Sequence, residues 1–232
     1  MDAVLLCAGL GTRLRPHTLS TPKPLLPVRG RPILDWTLSA LPKSVDRIIV
    51  VVHYLAGQIE KYLQGQHYFS QWTAVPQVVP RGTGDALRRC RDWVRSDRFL
   101  VLNGDDLFGA ADLAALTEQP AGVLCASVDE PRKFGIAFLK EDGTLEKLVE
   151  KPDLDGPLLA NTGAYLFPKS VFDINLSLSP RGEFEITDYV TTLAQRQPFH
   201  VVRAGFWLPI GTEEAWNQAQ AVDLDAVLTA RK

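Results

Sequence analysis

The sequence has 232 residues, 46% apolar and 22% charged, a size and balance suited to one substantial core or two closely joined halves of a soluble globular protein. Its 25 basic and 27 acidic residues leave a formal charge of −2, which offers no whole-chain attraction to nucleic acid or to an anionic membrane surface. No apolar run approaches the ~20 residues of a membrane span, and Arg13 and Arg15 interrupt the N-terminal apolar run too early for a signal peptide, so a cytoplasmic location is expected.

Taken in order, Ala3–Cys7 is an apolar first strand that runs into Gly9, Gly11, Thr12, Arg13 and, ten residues on, Lys23. Pro16, Pro22 and Pro24 leave no room for a helix of ordinary length, so this stretch is predicted to be a long loop. Pro32–Leu41 has helix length, opened by Pro32 and closed by Pro42. Arg47–His53 is a continuous apolar run of the kind buried on both faces, followed by a helix over Ala56–Leu63. Ala74–Val79 reads as a strand that Pro76 makes short or places on an edge. A helix is predicted over Gly82–Val94 and a buried strand over Phe99–Asn103, which stops at Gly104-Asp105-Asp106.

The second half is richer in hairpins. Strands are predicted at Gly122–Val128, Phe134–Lys140, Thr144–Glu150 and Leu158–Phe167, the last interrupted by Asn161-Thr162-Gly163. An amphipathic helix follows over Ile186–Ala194, then a strand over Phe199–Ala204 and one closing helix over Thr212–Leu228. The pattern is α/β: a single unit of residues 1–232 with a mostly parallel central sheet flanked by helices. Residues 1–110 form a nucleotide-binding half and residues 111–232 a half with more antiparallel strands. Ligands of open parallel sheets lie at the carboxyl ends of the strands, so Ala8, Asn103 and Asn161 are expected to share one cleft.

Chemistry concentrates in the first loop. Glycines let peptide N–H groups close around phosphate oxygens, and Arg13 with Lys23 can neutralise a polyphosphate. The G-x-G match is too short for a dinucleotide fingerprint, because Leu14 stands where a third glycine belongs, and no G-K-[ST] makes it a P-loop. Cys7, Cys90 and Cys125 lie far apart in apolar stretches, as buried free thiols do, and the four histidines show no ligand spacing.

What remains, A-G-x-G-T-R-L-x-P-x-T followed by P-K-P-L, resembles the signature of the sugar-phosphate nucleotidylyltransferases, or NDP-sugar pyrophosphorylases. The likeness is closest to bacterial glucose-1-phosphate thymidylyltransferases and to uridylyltransferases, and it implies a Rossmann-like, GT-A-like fold. Further motifs follow in the family's order: Gln77 with Gly82-Thr83, Asn103-Gly104-Asp105, Phe134-Gly135, Glu150-Lys151-Pro152, Asn161-Thr162-Gly163 and the run Arg181–Asp188. The resemblance implies that Ala8, Gly9, Gly11, Thr12, Arg13, Lys23, Gln77, Gly82, Thr83 and Asp105 bind the nucleotide. It implies that Gly135, Glu150, Lys151, Asn161 and Arg181 bind the sugar phosphate, that Asp105 holds Mg²⁺, and that Arg13, Lys23 and Arg181 act in catalysis. The expected reaction joins an NTP, UTP or dTTP by preference, to a sugar 1-phosphate with release of pyrophosphate. Family members are often dimers or tetramers.

One motif departs. The family's W-x-D-x-G-T, whose Asp is the second metal ligand, is here Trp207-Leu208-Pro209-Ile210-Gly211-Thr212, with Pro209 in place of the carboxylate and Asp106 as a neighbouring substitute. Two alternatives therefore stand beside the main reading: a guanylyl- or cytidylyltransferase of the same fold, with phosphocholine among the acceptors, and a catalytically weak nucleotide-sugar-binding regulator. The sequence lacks the C-terminal β-helix that some relatives carry, so no acetyltransferase activity is expected.

Overall fold

The computed structural model describes residues 1–231. β1 (Asp2–Leu6) leads into the long loop, a short hairpin of β2 (Pro27–Val28) and β3 (Arg31–Pro32), α1 (Ile33–Ala40), β4 (Arg47–Val52), α2 (Ala56–Gly65), β5 (Gln71–Pro76), α3 (Thr83–Arg88) and β6 (Arg98–Asn103). β6, β1, β4 and β5 lie side by side and all parallel. Successive strand residues point to opposite faces: Ala3, Leu5, Ile48, Val50 and Val52 enter one apolar layer, while Val4, Ile49 and Val51 enter the other. That double burial is why these strands read as unbroken apolar runs. β5 closes the sheet edge, where Pro76 costs no ladder bond to a further strand.

The second half contributes β7 (Asp106–Phe108), α4 (Ala110–Thr117), β8 (Gly122–Val128), β9 (Gly135–Leu139), β10 (Leu145–Glu150), β11 (Leu158–Pro168), α5 (Ile186–Arg196), β12 (His200–Arg203), β13 (Trp207–Pro209), α6 (Glu213–Ala219) and α7 (Asp225–Leu228). β11 joins the halves. Its C-terminal part runs antiparallel to β6 while its other edge carries β8, and at Ala160 it meets β9. β10 and β12 complete a nine-stranded sheet, parallel from β6 to β5 and mixed beyond β6.

Several elements differ from the sequence expectation. The helix predicted over Gly82–Val94 is regular only over Thr83–Arg88; the chain then turns, and Cys90 and Val94 still reach the core. The single closing helix divides into α6 and α7, which lets Ala219, Leu224 and Leu228 all pack on the layer that holds α1. β7, α4 and β13 were not anticipated. The strand predicted at Ala74–Val79 begins earlier, at Gln71, and ends at Pro76. The long loop is as expected, ordered by three single turns at Thr12–Leu14, His17–Leu19 and Lys23–Leu25.

All three cysteines are buried and free, and burial pushes the Cys90 and Cys125 thiols up to about 12. None of the described helices is long and apolar enough to cross a membrane.

Candidate functional site

The loops that leave the carboxyl ends of β1, β5 and β6 enclose a cleft of about 370 Å³. Every residue assigned to the nucleotide lines it: Ala8, Gly9, Gly11, Thr12, Arg13 and Lys23 from the first loop, Gln77, Gly82 and Thr83 from the second, and Asp105 from the third. The first loop folds back on itself through Gly11. With φ of +61°, Gly11 takes a turn that side chains resist, and an added Cβ would lie 2.8 Å from Thr18 Cγ2. Thr18 Oγ1 donates to the Gly11 carbonyl at 2.8 Å, which locks the return. The turn at Lys23–Leu25 then carries Lys23 under the cleft, 7% exposed.

The third loop is delivered by close contact between strand ends. Gly104 N–H donates to the Leu6 carbonyl at 3.1 Å, and an added Cβ at Gly104 would stand 2.3 Å from Cys7 Sγ. Only glycine passes there, and the next residue, Asp105, meets Lys23 with Oδ2 2.6 Å from Nζ. Arg13 is exposed at the cleft mouth, its guanidinium beside Gly211.

Asp106 behaves differently from Asp105. Its carboxylate is turned into the protein, accepting from Trp207 Nε1 at 3.4 Å and Ile210 N–H at 3.3 Å. Burial first, and the Asp105 charge second, push its carboxyl up to about 7. In the β7–β13 ladder Asp106 stands directly opposite Pro209. Among the described residues no group of three or more His, Cys, Asp and Glu side chains converges to cage a metal. Asp105, 40% exposed, turns its carboxylate to the cleft.

The residues expected at the sugar phosphate form a separate group outside the lining of that cleft. Gly135 and Glu150 pair across β9 and β10, and an added Cβ at Gly135 would lie 3.0 Å from Glu150 Oε2 and 4.0 Å from Asn161 Cβ. Lys151, with φ of +44°, turns away from β10 and its N–H donates to the Phe134 carbonyl at 2.9 Å. Two of the expected roles meet competing contacts. The Asn161 amide is held by Tyr165 and by the Gly163 N–H rather than opening into the cleft with Ala8 and Asn103. Arg181 is exposed and tied to Glu185 Oε1 at 2.9 Å.

The two groups are nevertheless stitched together. Phe184 N–H donates to the Arg81 carbonyl, Gly84 N–H to the Phe184 carbonyl and Ile186 N–H to Thr83 Oγ1. The segment that follows Arg181 thus forms one wall with Gly82 and Thr83, and Glu183 reaches the cleft lining itself. Glu183 and Asn103 were not among the assigned site residues. Asp85 was also missed: it lies beneath the cleft, 2% exposed, and accepts from Gln77, Arg88 and Arg89. Burial alone would raise its carboxyl, but those three hydrogen bonds hold it below the usual aspartate range.

A parallel α/β sheet with a cation-bearing glycine loop at its carboxyl edge defines a nucleotide-binding protein of the Rossmann-like class. Residues 2–226 match the family model described as nucleotidyl transferase, and the chain belongs to that family. It is similar to the bifunctional protein GlmU of Methanocaldococcus jannaschii, 33% identical over 99% of this chain and 56% of that protein. It is also similar to the low-salt glycan biosynthesis nucleotidyltransferase Agl11 of Haloferax volcanii, 34% identical over 97% of this chain and 66% of that one. The chain spans about half the length of the GlmU relatives it matches. Among solved structures, a Bacillus anthracis protein provisionally described as a glucose-1-phosphate thymidylyltransferase, in complex with sucrose, superposes with a TM-score of 0.84. It is 31% identical, with 97% of this chain and 96% of that chain covered. HddC of Yersinia pseudotuberculosis, complexed with GMP-PN, superposes with a TM-score of 0.75 at 25% identity, covering 94% of this chain and 97% of that one.

Proposed function

We propose that the chain is a sugar-1-phosphate nucleotidylyltransferase that takes UTP or dTTP and a hexose 1-phosphate and releases pyrophosphate. The observation that carries this reading is the convergence of Arg13, Lys23, Gln77, Gly82, Thr83 and Asp105 from three separate loops on one cleft. A cleft of about 370 Å³ suits a nucleotide, and its polar groups are few and directed.

An oxygen of the sugar 1-phosphate attacks the α-phosphorus, the bond to the bridging oxygen breaks, and pyrophosphate departs with the electron pair. The attacking oxygen is already anionic at neutral pH, so no general base is required. The work of the protein is positioning and neutralising charge. Arg13, free at the mouth, receives the β- and γ-phosphates. Lys23, beneath the cleft, faces the α-phosphate. Glu150 accepts sugar hydroxyls, and Lys151 with Arg181 receives the phosphate of the acceptor once Arg181 leaves Glu185.

Asp105 would hold Mg²⁺, an ion for which one or two protein carboxylates suffice. Asp106 is committed to Trp207 and Ile210 and remains a structural group. Bound there, Mg²⁺ would neutralise the triphosphate and the departing pyrophosphate.

A second reading, guanylyl transfer, draws support from the resemblance to HddC with its guanine nucleotide analogue. Pyrophosphate release measured for each NTP against a panel of sugar 1-phosphates and phosphocholine separates the two. Turnover with GTP alone would replace the pyrimidine assignment.

A further inference from the structure

Gln77 is 3% exposed, and both hydrogens of its side-chain amide are committed: Nε2 donates to the Gly82 carbonyl and to Asp85 Oδ2, each at 3.0 Å. Both partners are pure acceptors, so rotating the amide by half a turn would set its oxygen against two oxygens. The network alone therefore assigns the orientation. The carbonyl oxygen Oε1 takes no hydrogen bond from any described residue. Yet among the described residues no fully buried side-chain nitrogen or oxygen lacks a partner. Oε1 therefore reaches the open cleft, which Gln77 lines and Asp85 does not.

We propose that Asp85 is a positioning residue that fixes the Gln77 amide with its acceptor end toward the base. The site then selects bases that carry an N–H on their pairing edge. This rests on the reading of Gln77 as the base-facing residue and adds the polarity of that contact. Uracil and thymine offer N3–H to Oε1. Cytosine offers a bare N3 lone pair, so two acceptors would face each other and one would be buried without a partner.

Asp85 is built for this task. Arg88 and Arg89 donate to its two oxygens at 3.1 and 3.0 Å, which keeps it anionic although it is almost wholly enclosed. An anion cannot turn a donor toward Gln77. The arginines are themselves 54% and 33% exposed, so the charge they bring is solvated on its outer side and the cluster is not an isolated buried ion pair. Gly82 supplies the second acceptor, from backbone held at φ +97°. The lock thus has one part fixed by the fold and one part supplied by a replaceable side chain.

Affinity for UTP, dTTP, CTP and 3-deaza-UTP, in which C–H replaces N3–H, would be measured by calorimetry on the native chain, on Asp85→Ala and on Asp85→Asn. The native chain is expected to favour UTP or dTTP over both CTP and 3-deaza-UTP by roughly 10- to 100-fold. Asp85→Ala is expected to lose about tenfold of the UTP-to-CTP preference. Asp85→Asn, which can keep an amide oxygen on Gln77, is expected to retain most of it. A purely structural role would weaken all nucleotides alike and leave the ratio unchanged. If folded Asp85→Ala keeps the native ratio, the proposal is overturned while the base-reading role of Gln77 survives. If the native chain does not distinguish UTP from CTP, that role itself falls, and the proposal with it. Should Asp85→Ala not fold, the native chain still decides: rejection of CTP with full acceptance of 3-deaza-UTP would contradict the acceptor orientation.

Discussion

Lys23 Nζ and Asp105 Oδ2 meet at 2.6 Å, an ion pair between the loop that follows β1 and the loop that follows β6. Each charge is thereby held by the other. On the proposed reading, a triphosphate would offer Lys23 a second anion and a divalent cation would offer Asp105 a second partner, so the two exchanges would favour one another. Lys23→Ala removes the cation and leaves the carboxylate. Loss of one such charge raises barriers by about 2.7–4 kcal/mol, so turnover is expected to fall ~100-fold or more with secondary structure intact, checked by steady-state pyrophosphate release and circular dichroism.

Arg13 has no comparable structural duty, being exposed at the cleft mouth. Arg13→Ala is expected to leave the melting temperature nearly unchanged while depressing kcat at least ~100-fold. Parallel thermal and kinetic measurements check both halves of that statement.

Gly82 is irreplaceable for two independent reasons. Its φ is +97°, and an added Cβ would lie 2.4 Å from the Phe184 carbonyl oxygen. Gly82→Ala therefore strains the backbone and parts the wall that joins the base segment to the Arg181 segment. A loss of about 1–3 kcal/mol or more is expected from denaturant unfolding, together with weaker nucleotide binding by calorimetry.

Asp106 gives the chain an acid-side stability term of unusual sign. Its folded carboxyl titrates at about 7, against about 3.9 for an unfolded aspartate. Between those values the folded chain holds the extra proton, so the contribution is complete below about pH 4 and is lost as pH rises toward 7. Asp106→Asn should flatten this part of the profile, as measured by denaturant unfolding from pH 5 to pH 8 in the presence of a chelator.

Pro209→Asp would place a carboxylate directly across the β7–β13 ladder from Asp106. Above about pH 7, where Asp106 is ionised, like charges facing each other on adjacent strands cost up to about 1 kcal/mol, so unfolding there should come at lower denaturant. Because Asp105 is the carboxylate proposed to hold the metal, turnover at saturating Mg²⁺ should change little. A large gain would mean that the native site is short of a carboxylate.

The sequence made the parallel half and the cleft legible for a physical reason. Strands buried on both faces cannot hide their composition, and glycines at a strand end leave few roles for Arg13 and Lys23 other than meeting an anion. α4 was less visible because Ala110, Ala111, Ala114 and Ala115 dilute its stripe, leaving mainly Leu113 and Leu116 in the core. The division between α6 and α7 places Ala219, Leu224 and Leu228 in the layer that holds α1, a tertiary relation that no local pattern encodes. Asn161 has the right residue type and place in the chain, but Tyr165 and the Gly163 turn hold its amide. The Asp85–Gln77 contact spans only eight residues. G-T-G-D is also an ordinary way to start a helix, and only folding shows that the aspartate faces inward.

Nucleotidyl transfer is read directly by incubating the chain with Mg²⁺, each of UTP, dTTP, CTP, GTP and ATP, and a panel of sugar 1-phosphates, and measuring pyrophosphate. Release is expected with UTP or dTTP and a hexose 1-phosphate, and is expected to be abolished by Arg13→Ala. Release only with GTP or CTP, or none with any pair from a folded chain, would contradict that expectation.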